Sequence, residues 1–278
     1  AMAIGGGDAV SVNDIPYPSL AAAFEAVPEG VETTVLLTDD IVVGTADIAT
    51  LPAGKNIILD MAGHSITAAV DFEGRPIMNY GTMKVIGNGT IDTSASIYGG
   101  YGAINNYGDL TIENGVFAGH IFADGSAVRN SGGTLVIHDG DFTGCAALYN
   151  AEGAEATING GYFHTTSCNK TVDDNGNNHW SYAFNSAGTL TFNAGTVEGV
   201  QGGLGISSGS AGINGGTFRT VACEHSSTGT ASFYALYVAG EIGNATAVVK
   251  GGEYTSASRW AAYIGNSNPG GDGGNMQE

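Results

Sequence analysis

Positive charge is the scarcest feature of this chain. Only 8 Lys and Arg stand against 27 Asp and Glu in 278 residues, a formal charge of −19. No nucleic-acid partner is expected, because phosphate binding needs a field of basic side chains. An anionic membrane surface is disfavoured for the same reason. Long apolar runs are lacking too: none approaches the roughly 18 residues of a spanning helix, so no membrane insertion is expected. Charged residues of both signs make up 13%, about half the usual fraction. Proline is limited to 6 positions, and glycine does not recur at every third residue, which excludes collagen. Cysteine is limited to Cys145, Cys168 and Cys223, an odd count with no close pair. That fits neither a disulfide framework nor a zinc site, and buried thiols are the plain reading. Cys168 and Cys223 do occupy matching places, each five residues after a Phe, so a bridge between their loops stays open.

What the chain has in plenty is glycine, 46 residues, together with Asn, Thr and a repeat. One unit reads Ala103-Ile104-Asn105-Asn106-Tyr107-Gly108-Asp109-Leu110-Thr111-Ile112-Glu113-Asn114-Gly115-Val116-Phe117. The motif returns at Leu135–Phe142 and at Ala156–Phe163. Its closing residues are Ile66, Ile91, Phe117, Phe142, Phe163, Val197, Phe218 and Tyr254, at intervals of 21 to 36. Short intervals with occasional long ones are how a solenoid carries insertions in its loops. Each unit holds about three short apolar strands between Gly/Asn turns, with no helical period between them, which excludes βαβ folds. The pattern predicts an all-β parallel β-helix of about eight coils. Asn79, Asn106, Asn130, Asn150 and Asn185 take one turn position in successive units and form a predicted amide ladder. Ser207 and Val238 replace the Asn in the later units.

Residues 17–28 read as a short N-terminal capping helix, with Ser19 as N-cap and Leu20, Ala23, Phe24 and Val27 on one face. Strands at Thr34–Leu37 and Ile57–Asp60 should then begin the stack. The whole of 1–265 reads as a single β-helix domain, followed by a flexible Gly-rich tail at 266–278. No equivalent helix follows Tyr263, so the C-terminal edge calls for a further segment, a loop or another subunit. Continuation into further domains of a larger chain is compatible with this reading.

The opening run Tyr17–Ile66 resembles the first coils of right-handed parallel β-helix proteins of the pectate-lyase-like superfamily. The later units ("GDLTIENGVF", "GTLVIHDGDF", "SAGINGGTF") are similar in style to those of bacterial surface adhesins and phage fibres. The resemblance covers about residues 17–265 and implies a right-handed β-helix. That superfamily contains lyases, hydrolases, adhesins and tailspikes, so the resemblance does not set the function. Its hydrolases carry Gly-His-Gly and Arg-x-Lys, and its lyases an Arg base beside calcium-binding carboxylates. Here Gly119-His120 and Gly63-His64 run on into Ile and Ser, and none of Arg75, Arg129, Arg219 and Arg259 stands in Arg-x-Lys. No catalytic residue transfers.

The independent candidate for chemistry is the acidic insertion 164–182. Asp173, Asp174 and His179 could run acid/base catalysis there if one carboxylate were desolvated. Asp173, Asn175 and Asn177 could hold calcium, although the EF-hand spacing is not met. A solvated turn is the plainer reading of Asp173-Asp174-Asn175-Gly176, and neither a cofactor nor a metal is required. A second insertion, Arg219 to Tyr234, parallels the first. Trp180, Tyr182, Phe233, Tyr234 and Trp260, with Asp173 and Asp174 nearby, form a predicted ligand-binding wall suited to neutral sugars. The competing reading is that these rings roof the core. The −19 charge disfavours an anionic polymer unless calcium bridges it.

The expectation is therefore a non-enzymatic extracellular or cell-surface module, of bacterium or phage virion, that binds a glycan or host surface protein. A polysaccharide lyase or glycoside hydrolase using the acidic insertion is one alternative, and a spacer without ligand is another.

Overall fold

Three parallel β-sheets wind around one apolar interior. The computed structural model describes residues 9–96, 102–120, 125–165, 171–172, 178–179, 182–200, 202–221, 234–240, 244–257 and 260–265, with backbone alone at 171–172 and 178–179. Each coil places one strand in each sheet. In the first coil these are Glu32–Leu37, Ile41–Val43 and Ala49–Leu51; in the last they are Thr246–Val249, Glu253–Thr255 and Ala262–Gly265. Among the described residues nine coils stack in this way, against the about eight expected from the repeat. The extra one is the first, where Ile41 pairs with Ile66 and extends the closing column backwards.

The closing residues share a single register. Ile66, Ile91, Phe117, Phe142, Phe163, Val197, Phe218 and Tyr254 pair in succession across the second sheet. Side chains in a strand alternate between faces, so this column points inward while its neighbours on both sides point out. The seven from Ile66 to Phe218 are 0% exposed, and each contributes roughly 1.5–3 kcal/mol of burial. Phe117, Phe142 and Phe163 stack with ring centroids 5.0 and 4.8 Å apart, the inter-strand spacing.

The amide ladder runs along the end of the third sheet. Asn79 Nδ2 donates to Asn106 Oδ1 at 2.7 Å, Asn106 to Asn130 at 2.8 Å, and Asn130 to Asn150 at 2.9 Å. Asn185 does not continue it. Asn150 pairs with Ser186 in the strand register and donates to its hydroxyl at 3.1 Å, while Asn185 lies one residue earlier, facing outward. The shift by one residue moves a side chain to the opposite face of the sheet. In the next coils Ile206 and Val238 take the ladder position, so Ser207 is one residue off as well. A second, exposed ladder in the turns before the second sheet links Asn159, Asn193 and Asn214 at 2.8 and 2.7 Å.

The N-terminal end is covered twice. Helix Leu20–Ala26 buries Leu20, Ala23 and Phe24 on the first coil, with Val27 beside them. Ser19 Oγ accepts from Ala22 N at 3.1 Å, and Lys55 Nζ donates to the carbonyls of Phe24 and Glu25 at the other end. Ser19→Ala should cost about 1 kcal/mol in urea unfolding, and an unchanged midpoint would show that the cap carries no weight. Ahead of the helix, Val10–Val12 and Ile15–Tyr17 form a hairpin that lies antiparallel against Glu32–Leu37. Its two-residue turn places Asn13 and Asp14 at φ 51° and 63°, the left-handed region that suits Asn and Asp. Pro16 sits on the outermost strand, where a missing N–H removes a donor that another strand could use. At the other end, Val249 continues the buried column of Ile158, Phe192 and Ile213 yet is 44% exposed.

Candidate functional site

The outer face of the third sheet gathers aromatic rings over coils six to nine. Tyr182 lies in the strand Tyr182–Ser186, opposite Gly202 of the strand Gly202–Ile206. A Cβ at Gly202 would run into the Tyr182 ring, and one at Gly205 would come within 2.9 Å of it. The ring therefore lies flat on a glycine floor. Tyr237 follows at 5.7 Å and 16°, then Tyr263 at 6.0 Å and 4° from Tyr237. Tyr234 packs on Tyr263 at 4.8 Å, and Trp260 reaches the same ring at 6.4 Å and 14°. Burial, with neighbouring phenols behind it, pushes the Tyr182 and Tyr237 hydroxyls above their ordinary range.

Of the predicted wall, Tyr182, Tyr234 and Trp260 come together here. Tyr234 is only 5% exposed, its face spent on Tyr263, whereas Trp260 is 47% exposed. Trp180, Phe233, Asp173, Asp174, Asn175 and Asn177 lie outside the described residues, as do Cys168 and Cys223. The backbone of His179 pairs antiparallel with Thr171, and its side chain is outside the described residues. Cys145 is partly buried. Tyr182 Oη and Asn185 Oδ1 are buried on this same face and find no hydrogen-bond partner among the described residues, which is rare for polar atoms in a folded protein.

A second group was not anticipated from the sequence. On the outer face of the second sheet His164 Nε2 meets Asp141 Oδ1 at 2.7 Å, and its ring stacks on Tyr162 at 4.3 Å. Tyr162 Oη donates to Glu198 Oε1 at 2.8 Å, and Glu198 is ion-paired to Arg219. Burial and the Glu198 carboxylate raise the Tyr162 hydroxyl, and the same carboxylate raises Arg219. The signal was available: each of these residues flanks a closing residue by one position, and stacking the closing column aligns them. Among the described residues no three His, Cys, Asp or Glu side chains form a metal-holding group.

The fold and this face define a parallel β-helix with an aromatic outer stripe. Comparison with protein-family models, curated proteins and solved structures finds no match.

Proposed function

We propose that the chain is a non-enzymatic surface module, extracellular or on a virion, that contacts a glycan or a host surface protein through the third-sheet face and the loops beside it. The observation that carries this reading is the stacked stripe Tyr182–Tyr237–Tyr263 ending in the exposed indole of Trp260. Trp260 is the exposed ring of this stripe, and an indole held against the buried Tyr263 loses little entropy on binding a sugar's apolar face. The buried Tyr182 Oη and Asn185 Oδ1 place polar atoms under the same face. A place among the pectate-lyase-like β-helices, near adhesins and phage fibres in repeat style, agrees with the capping helix and amide ladder.

A glycan array with the whole chain tests this. Binding to a subset of glycans, weakened about tenfold or more by Trp260→Ala with an unchanged unfolding midpoint, is the expected result. No binding to any glycan or host protein would leave a spacer. The enzymatic reading draws on the Asp141–His164 and Tyr162–Glu198–Arg219 contacts at the root of the first insertion. These groups satisfy one another, which speaks against a poised acid or base. New reducing ends or unsaturated products from a polysaccharide panel, with and without calcium, would overturn the binding role.

A further inference from the structure

In a chain of charge −19, Arg75 and Arg129 lie near enough for one to disfavour the charge of the other, and among the described residues neither is ion-paired to a carboxylate. Arg75 is 5% exposed, and its guanidinium donates only to neutral oxygens: Ser126 O at 2.6 Å, Ile104 O at 3.3 Å and Ser126 Oγ at 2.9 Å. Its side chain crosses Gly102, where a Cβ would overlap the Ser126 carbonyl and sit 2.5 Å from Nη1. Glycine there lets the arginine reach from the second coil to the fourth. Burial first, and then the Arg129 guanidinium beside it, lower Arg75 to about 9, so it is still cationic at neutral pH. A buried cation without a counter-ion is costly, and an anion at this face offsets that cost.

Arg129 supplies the accessible half. It lies between Asn105 and Tyr149 in the outward column of the third sheet, with Cζ 4.5 Å above the Tyr149 ring. That stacking fixes the plane of the guanidinium. Nε donates to Ser131 Oγ at 3.2 Å, Ser131 Oγ donates to Asn105 Oδ1 at 2.6 Å, and Asn105 Nδ2 donates to Tyr107 Oη at 3.3 Å. Among the described residues the Nη groups find no hydrogen-bond partner. Beside this chain Tyr80 and Tyr107 stack at 4.8 Å and 1°, 44% and 41% exposed.

We propose that Arg129, backed by Arg75 and flanked by Asn105, Ser131 and the Tyr80–Tyr107 pair, binds the carboxylate of an acidic sugar. A planar guanidinium with both Nη groups free matches a carboxylate in two parallel hydrogen bonds. The adjoining amide, hydroxyl and exposed rings fit a sugar ring and its hydroxyls better than a flexible acidic peptide side chain. The overall negative charge disfavours a long anionic polymer, but it is screened beyond about 8 Å at physiological salt, so a single acidic sugar meets mainly the local cations. The site occupies coils two to five, apart from the tyrosine stripe, and does not rest on it.

The test is calorimetric titration of the whole chain with glucuronic acid and N-acetylneuraminic acid, each against its methyl ester, and with a glutamate-rich hexapeptide. At least one acid should bind about tenfold tighter than its ester, and the preference should weaken with salt. Arg129→Gln should bring acid down to ester while leaving the unfolding midpoint and the Trp260-dependent array binding unchanged. Tyr107→Ala should weaken acid and ester alike. Equal binding of acids and esters, no binding of either acid, binding of the peptide alone, or a preference that survives Arg129→Gln would each overturn the proposal. The array result on Trp260→Ala reads the other face, so the two proposals fail separately.

Discussion

Asn130→Asp should destabilise the chain by about 3–5 kcal/mol at neutral pH, although it changes a single amide to a carboxylate of the same shape. Asn130 is 0% exposed. Its Nδ2 donates to Asn150 Oδ1 at 2.9 Å, Gly133 O at 3.2 Å and Glu155 O at 2.9 Å. Aspartate turns that donor into an acceptor facing three acceptors, at a fully buried position. The new carboxyl group is therefore raised well above its unfolded value near 4. With the folded pKa raised, the folded variant holds a proton that the unfolded chain has lost. Its stability falls as pH rises through that window and recovers on acidification to about pH 4. Urea unfolding of variant and parent at neutral pH and at about pH 4 checks both parts. A deficit absent at neutral pH, or one that grows in acid, would sink the account of the ladder.

The second large effect is expected at Phe142. This ring is 0% exposed and lies between Phe117 and Phe163, 5.0 and 4.8 Å away and within 10° of parallel. Phe142→Ala removes the middle of the stack, and its neighbours are held in register by their strands, so the cavity cannot close. A loss of about 3–5 kcal/mol follows. Val116, one residue before Phe117 and 40% exposed, is the control: Val116→Ala should stay within about 0.5 kcal/mol. If the two variants unfolded at the same denaturant concentration, the inward column would not be what holds the coils together.

The coil, its inward column and the capping helix were legible because each is written in strong local chemistry. A large apolar residue ends every unit, and Ser19 precedes an apolar face of helical period. The closing residue of the first coil, Ile41, was not picked out because it lacks the glycine two or three residues ahead that every other closing residue has. Asn185 was misplaced for a related reason. After a long insertion the register is set by strand pairing, and Asn185-Ser186 offers two adjacent polar residues of which only Ser186 aligns with Asn150. The candidate sites were less legible still. Tyr182, Tyr234 and Trp260 stood out as aromatics near insertions, yet the glycine floor at Gly202 and Gly205 is meaningful only once those coils are stacked. Arg75 and Arg129 lie 54 positions apart, and nothing along the chain announces that they influence each other.

The constant pairing of each coil with the next also bears on how the chain is made. Phe142 and Phe163 meet across 21 positions, Phe218 and Tyr254 across 36, yet both pairs sit in the same column. The entropy of closing a loop grows only with the logarithm of its length, so the longer step costs about 0.5 kcal/mol more than the shorter. That increment does not accumulate along the molecule, because every coil closes onto a template already in place. Growth by accretion thus tolerates a long detour at any turn. The steps from Phe163 to Val197 and from Phe218 to Tyr254 can therefore be longer than their neighbours while the column they join keeps its register.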